Sequence, residues 1–138
     1  MGRHCIGSTL IEHLIAMAVT ALLAGVAVPT YTAQLRRGWI VDATTTLATY
    51  AGRLEASFDS NGNYGVAACS VAAPTGTDQW TFSCTVQAAG QGFLVTATGQ
   101  NTMAGYAYTL NEASSRNTTA YPAVSGARTC WLIQGTEC

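Results

Sequence analysis

Lysine is absent from this sequence of 138 residues, so all six of its basic residues are arginines. Charged residues make up only 9% of the chain, and seven acidic residues leave a net charge of −1. A protein that attracts nucleic acid by its charge needs a basic stripe on its surface. The composition therefore predicts that nucleic acid is not a partner, unless Arg116 and Arg128 cluster with aromatic residues.

Histidine is nearly absent as well, and this limits the chemistry that the chain can perform. The two histidines, His4 and His13, lie close to the N-terminus, so the rest of the chain offers no base for a Ser-His-Asp or Cys-His arrangement. Four carboxylates, Asp59, Asp78, Glu112 and Glu137, are scattered near glycine, asparagine or serine, where turn and capping roles are more common than acid–base catalysis. No glycine-rich phosphate loop lies between a strand and a helix. We therefore predict no enzyme activity, no catalytic residue and no cofactor.

Long apolar runs are confined to the N-terminal region. The stretch from Ser8 to Val28 would span about 31 Å as a helix, which is enough to cross a bilayer core. It carries the carboxylate Glu12, although a charge in hydrocarbon costs roughly 2.5–3.5 kcal/mol. We therefore expect Glu12 to have a partner. A secretory signal peptide with a weak cleavage site at Ala27-Val28-Pro29 is the alternative, but its positive region would be thin and Glu12 would be foreign to it.

The residues around Glu12 carry a specific resemblance. The segment Gly7-Ser8-Thr9-Leu10-Ile11-Glu12 resembles the processing motif of type IV prepilins and of type II secretion pseudopilins. Pro29 and Tyr31 match the Pro-x-Tyr that ends the apolar segment in that family. Further along, residues 103–109 and Cys130-Trp131 resemble the minor-pilin branch more loosely. Ser8 stands where phenylalanine is common, and His13 replaces an apolar residue.

The resemblance implies a structural function, as a minor pilin of a type IV pilus. It implies that a prepilin peptidase cuts between Gly7 and Ser8 and methylates the new amino group of Ser8. Residues 1–7 would be the leader, residues 8–30 the helix that lies first in the membrane and then in the filament core, and residues 31–138 the globular head. Glu12 would neutralise the terminal ammonium of a neighbouring subunit, and Pro29 would also contribute to filament assembly.

The resemblance also implies partners and a location. The chain would cross the inner membrane once, meet the prepilin peptidase and the inner-membrane assembly machinery, and join other pilin subunits in an extracellular pilus. Two alternatives remain open at this point. The chain could be a type II secretion pseudopilin, or its head could be a module that binds an adhesion receptor or DNA.

Beyond Pro29, apolar residues recur at three- and four-residue steps, which predicts an amphipathic helix. Together with the apolar segment they indicate one long helix from about Thr9 to Phe58, ended by turn-forming residues 60–63. Because Pro29 lacks a backbone donor, we expect a kink or local melting near residues 25–29. The stripe consists of Leu35, Trp39, Ala43, Leu47, Ala51, Leu54 and Phe58.

The remaining sequence alternates apolar and polar residues in short runs, which predicts β-strands. Three runs begin at Trp80, Phe93 and Tyr106, and a fourth is Cys130-Trp131-Leu132-Ile133. Both tryptophans of these runs are predicted to lie in the core, and Asn117-Thr118-Thr119 is predicted to be a loop. The sequence therefore predicts an α+β fold, in which the long helix packs against a four-stranded antiparallel sheet. The resemblance implies that this is the type IV pilin fold.

Once the leader with Cys5 is removed, four cysteines remain. An even number in an exported domain predicts two disulfides, for which three pairings exist. We favour Cys69–Cys84 and Cys130–Cys138, because both pairs close short local loops. A zinc site is disfavoured, since no histidine follows Pro29 and no Cys-x-x-Cys pair is present, so we predict no metal.

Overall fold

A long helix opens the described part of the chain. The computed structural model describes residues 9–138, apart from the side chain of residue 27, so the predicted leader and the cleavage site at Gly7 and Ser8 lie outside the described residues. Helix α1 runs from Leu10 to Asn61. It ends where Gly62 adopts a positive φ of 70° and donates its N–H to Phe58 O at 2.7 Å. Glycine takes this conformation without a steric penalty, which explains the end of the helix.

The chain divides into two compact units, which are described separately. One unit ends at Leu35 and the other runs from Arg36 to Cys138. In the first unit, α1 continues through Pro29, so the expected local melting at residues 25–29 does not occur. Here threonine hydroxyls bond to helix carbonyls, Thr30 to Val26 O and Thr32 to Pro29 O, each at 3.0 Å.

In the second unit, the C-terminal half of α1 contributes one face to the core. The predicted stripe is confirmed at its centre, since Ala43, Leu47 and Leu54 are fully buried. The buried face is wider than predicted, because Ile40 and Tyr50 lie in it as well. One apolar stripe is what a helix needs in order to pack on a sheet.

The sheet that receives this face has four antiparallel strands. They are β1 (Trp80–Gln87), β2 (Gly92–Gly99), β3 (Ala107–Asn111) and β4 (Arg116–Ala120), and they lie in the order β1-β2-β3-β4. The predicted α+β fold is therefore confirmed. The register pairs the apolar residues of neighbouring strands on one face, as in Cys84↔Val95 and Val95↔Leu110, and this face joins the core with the buried residues of α1.

The fourth strand is not the one that the sequence predicted. Strand β4 is the threonine-rich segment that we expected to be a loop, and Cys130–Ile133 is not a strand. The reason lies in how residues 130–133 bond. The Thr118 hydroxyl donates to Cys130 O at 2.7 Å and accepts the Leu132 N–H at 2.9 Å, and Tyr108 donates to Leu132 O at 2.7 Å. Side chains of the sheet therefore satisfy this backbone, and no strand ladder forms.

Two disulfides close local loops in the second unit. Cys69–Cys84 ties the segment after α1 to β1, with the two Cα atoms 6.1 Å apart. Cys130–Cys138 holds the C-terminal segment, with its Cα atoms 5.8 Å apart. These are the two pairings that short loop length favoured. Cross-links of this size limit the unfolded chain and typically stabilise a small domain by about 2–4 kcal/mol.

Candidate functional site

The first candidate site is the start of α1. The carboxylate Oε2 of Glu12 accepts the backbone N–H of Thr9 at 2.8 Å, and the Thr9 hydroxyl lies 3.3 Å from the same oxygen. In return, the Glu12 N–H donates to Thr9 Oγ1 at 3.4 Å. This reciprocal pattern is a capping box, and the sequence signal for it is the Thr-x-x-Glu spacing. Glu12 therefore has a local structural role that the sequence analysis missed.

The large apolar residues on both sides of Glu12 are exposed in the described part of the first unit. Leu10 is 80% exposed and Leu22 is 74% exposed, and the same holds for the other large apolar side chains as far as Val28. By length and composition, α1 is long and apolar enough to cross a membrane. Such a surface needs a covering of lipid or protein, because exposed apolar area of this extent is unfavourable in water.

His13, the residue after Glu12, lies on the same helix. Its ring nitrogen Nδ1 is 3.3 Å from Thr9 O, one turn earlier. The imidazole therefore bonds within the first turn of the helix. His13 also borders a shallow groove on one side of α1, whose other lining residues are small or flexible, namely Ala16, Met17, Thr20, Ala21 and Ala24.

The second candidate site lies at the outer edge of the sheet. The Arg116 guanidinium, at the start of β4, sits over the indole ring of Trp131 at 4.9 Å from the ring centre. The indole is also held at its edge, since its N–H donates to Thr109 O at 3.0 Å. Ser114, Ser115 and Thr129 line the same open groove. A guanidinium, an aromatic face and hydroxyl groups therefore meet on one exposed surface.

Arg128 lies beside β4 but does not join the aromatic contact. Its backbone pairs with Thr118 in both directions at 2.9 Å, which closes part of the outer edge of the sheet. Its guanidinium lies 3.4 Å from Ser125 O and 3.3 Å from Ala127 O. From the sequence, nucleic-acid binding is expected only if Arg116 and Arg128 cluster with aromatic residues. Of these two arginines, Arg116 lies against an aromatic ring and Arg128 does not.

The two tryptophans of the predicted strands have different environments. Trp80 is 1% exposed and lies in the core, as predicted. Trp131 is only half-buried and carries Arg116 on its face, so it forms part of a surface. An aromatic face next to a guanidinium can stack on a nucleic-acid base while the cation meets a phosphate.

A metal site requires a group of ligating side chains, such as histidine, cysteine or carboxylates. Within residues 9–138, no group of three or more histidine, cysteine or acidic residues is placed to hold a metal ion. The cysteines of that range are joined in the two disulfides. The groups present at the two candidate sites are a capped apolar helix and a cation on an aromatic ring.

Comparison with known proteins identifies the family. The family described as "Type IV minor pilin ComP, DNA uptake sequence receptor" matches residues 29–109, which is more than half of the chain. The chain belongs to this family of type IV minor pilins. The matched residues extend from Pro29 to β3 and end before Arg116 and Trp131.

A solved structure supports the same fold for this minor pilin. A high-resolution structure of a type IV pilin from Shewanella oneidensis is similar, with a TM-score of 0.51 and 29% sequence identity. The similarity covers 59% of this chain and 89% of that chain. No curated protein matches the chain. The long N-terminal helix with a four-stranded antiparallel sheet is thus the type IV pilin fold.

Proposed function

We propose that this minor pilin is a structural subunit of a type IV pilus. After removal of residues 1–7 it crosses the inner membrane once by its apolar helix, and the same helix then enters the filament core. The exposed apolar surface between Leu10 and Val28 is the observation that supports this proposal, because lipid and neighbouring helices are two coverings suited to it. Membership of a type IV pilin family favours this function over that of a type II secretion pseudopilin.

Glu12 is the residue on which assembly depends in this proposal. Cleavage between Gly7 and Ser8 by a prepilin peptidase creates an ammonium group on Ser8, which remains cationic after methylation and directly precedes Thr9. A filament core is a low-dielectric environment in which an unpaired charge is costly. Glu12 of one subunit then neutralises the ammonium of its neighbour and fixes the axial register of the two helices. The remaining partners are the inner-membrane assembly machinery and other pilin subunits.

Variants of Glu12 separate this charge pairing from helix capping. Glu12→Leu is expected to reduce incorporation into sheared filaments strongly, with cleavage after Gly7 unchanged, because it removes the charge and the cap. Glu12→Gln keeps a side chain that can complete a capping box but removes the charge. It is therefore expected to reduce incorporation as well. The measurement is the amount of protein in the filament fraction, with N-terminal sequencing of the membrane form.

Two outcomes would contradict the proposal for Glu12. Normal incorporation of Glu12→Leu would mean that filament assembly does not need this residue. Normal incorporation of Glu12→Gln, with a defect in Glu12→Leu, would mean that capping of α1 is what matters and that the charge pair is not required.

A second function, DNA binding by the head, is favoured by the contact between Arg116 and Trp131. Guanidinium groups bind phosphate in a bidentate manner, and an indole face can stack on a base. The family to which the chain belongs is described as a receptor for a DNA uptake sequence. Because the family match ends at Thr109, the role of Arg116 and Trp131 is supported by their geometry in this chain and not by matched residues.

Substitution of Arg116 tests DNA binding. Arg116→Gln is expected to lower the affinity of the full-length protein in detergent for a short fluorescent DNA duplex by about tenfold at low salt, since one charged contact is lost. The dependence of affinity on salt should also become less steep, by about one phosphate contact. Fluorescence anisotropy titrations at several salt concentrations measure both quantities.

Arg53→Gln is the matched control for this experiment. Arg53 lies on α1 and lines a different groove, together with Thr45, Thr46, Thr49, Pro74 and the buried Tyr50. It carries the same charge but has no indole beneath it, so its removal is expected to change the affinity little. Equal losses for the two variants would show that net charge and not the Arg116 site determines binding.

A further inference from the structure

A buried threonine hydroxyl bonds to the segment that carries Trp131 on both sides of that residue. Thr118 lies in β4 and is 1% exposed. Its Oγ1 donates to Cys130 O at 2.7 Å and accepts the N–H of Leu132 at 2.9 Å. The hydroxyl therefore bonds to the residue before Trp131 and to the residue after it. Few side chains can do this, because the group must act as donor and acceptor at the same time.

Strand β3 supports the same segment from a second position. Tyr108 is fully buried and its hydroxyl donates to Leu132 O at 2.7 Å. Burial raises the pKa of Tyr108, so this hydroxyl keeps its proton and stays a donor. The indole N–H of Trp131 donates to Thr109 O, on the neighbouring residue of β3. The position of the indole thus depends on two strands and on the backbone that Thr118 fixes.

Arg116 belongs to the same strand as Thr118, two residues earlier. In the register of the sheet, Arg116 pairs with Leu110, and Thr118 pairs with Tyr108. Residues two apart on a strand lie on the same face, about 7 Å from each other. The strand that presents the guanidinium therefore also anchors the segment that presents the indole, and a shift of one relative to the other would break the 4.9 Å contact.

We propose that Thr118 is a positioning residue of the DNA-binding site, whose buried hydroxyl holds Trp131 beneath Arg116. Thr118 itself does not touch DNA, because it is buried. The inference rests on the proposed DNA binding, but the arrangement of Trp131 can be measured without DNA. Sequence alone does not indicate this role, because Thr118 lies in a run of polar residues that predicts a loop.

Three variants isolate the hydroxyl of Thr118. Thr118→Val keeps the branched shape but removes the donor and the acceptor. Thr118→Ser keeps the hydroxyl and serves as the rescue variant. Thr119→Val is the matched control, because Thr119 is the next residue of β4 but is exposed, and its hydroxyl lies 3.3 Å from Ala107 O.

The experiment combines two readouts on the full-length protein in detergent. Hydrogen exchange of the three tryptophan indole N–H groups is followed by NMR, with Trp131 assigned through Trp131→Phe. Affinity for a short fluorescent DNA duplex is measured by anisotropy. Thr118→Val is expected to accelerate exchange at Trp131, but not at Trp39 or Trp80, and to lower the DNA affinity by about tenfold. Thr118→Ser and Thr119→Val are expected to resemble the unmodified protein in both readouts.

Each other result has a defined meaning. Unchanged DNA affinity of Thr118→Val would overturn the positioning role, as would faster exchange at all three tryptophans, which indicates a general loss of stability. If the unmodified protein binds no DNA, the proposed DNA binding fails. In that case exchange at Trp131 alone decides whether Thr118 positions the indole.

Discussion

Tyr64 shows how one side chain can connect several parts of the head. It is 5% exposed, and its ring lies 4.5 Å from that of Phe58 in α1 and 4.8 Å from that of Phe93 in β2. Its hydroxyl donates to Glu55 Oε2 at 2.8 Å. Burial, followed by the hydrogen bond to Glu55, raises the pKa of Tyr64 to about 12. The folded head therefore holds the proton of Tyr64 more tightly than the unfolded chain does.

The raised pKa of Tyr64 predicts a loss of stability in alkali. A tyrosine whose pKa is higher in the folded state contributes its full stabilisation below the unfolded value, near 10, and loses it as the pH rises towards about 12. At about pH 8, Tyr64→Phe is expected to lower the free energy of unfolding by about 1 kcal/mol, because the bond to Glu55 is lost. Above about pH 10 the difference between the two proteins should shrink, since only the unmodified protein loses the contribution of Tyr64.

Urea unfolding at a series of pH values measures this effect. Tyr31→Phe is the control, because Tyr31 is 65% exposed and its substitution should change the free energy of unfolding little. A difference between Tyr64→Phe and the unmodified protein that stays constant from neutral to alkaline pH would contradict the prediction.

At the scale of elements, α1 consists of an exposed apolar part followed by an amphipathic part. Its first part is apolar on all sides and exposed, as at Ile11 and Leu23. Its second part is apolar along one stripe, and Leu47 and Leu54 of that stripe are fully buried. All residues of the buried core lie at Ile40 or beyond, within the unit that begins at Arg36. We therefore expect the stability of the head not to depend on the first part of the helix.

This division of α1 predicts that a chain beginning at Arg36 folds by itself. Such a chain keeps the whole core cluster and both disulfides, and it loses the exposed apolar surface. It is expected to be monomeric in water without detergent and to unfold in one cooperative transition, because one core usually unfolds as one unit. Analytical ultracentrifugation and thermal unfolding by circular dichroism test this.

A shorter truncated variant provides the control for this experiment. A chain that begins at Leu47 lacks the helix turn with Ile40 and Ala43, both of which are buried. It is expected to be unstable, because part of the core is missing. Aggregation of the chain that begins at Arg36, or a gradual transition on heating, would contradict the prediction.

At the scale of the whole molecule, the low net charge means that any DNA binding must depend on a few residues at one site. Five of the six arginines and six of the seven acidic residues lie between Arg36 and Cys138, which leaves this unit with a small net negative charge. Such a unit does not attract DNA over a long distance. A site that binds DNA must therefore place a cation next to an aromatic surface, as Arg116 and Trp131 do.

Much of this architecture was predictable from patterns between near neighbours in the sequence. The helix from about residue 9 to the turn near residue 62 follows from apolar periodicity, and the first three strands follow from alternation. The pairing of Cys69 with Cys84 and of Cys130 with Cys138 followed from short spacing. These features depend on residues close in the chain, so a single sequence contains the information for them.

The fourth strand and the second candidate site could not be predicted in the same way. Apolar residues in Cys130–Ile133 suggested a strand, but this segment forms none. The polar segment Arg116–Ala120 pairs with β3 instead. Thr118 is buried because its hydroxyl finds partners at Cys130 and Leu132, which are distant in the sequence. A pattern of residues close in the sequence does not predict a contact between residues that are 12 or 14 positions apart.

The sequence by itself determined the long apolar helix, because the properties of a helix are set by residues close in the chain. Tertiary structure decided which segment completes the sheet and that Arg116 meets Trp131. The physical reason is that most buried polar groups have a hydrogen-bond partner, because an unpaired one is costly. Which group in the chain provides that partner depends on the folded arrangement, and here Thr118 met this requirement with Cys130 and Leu132.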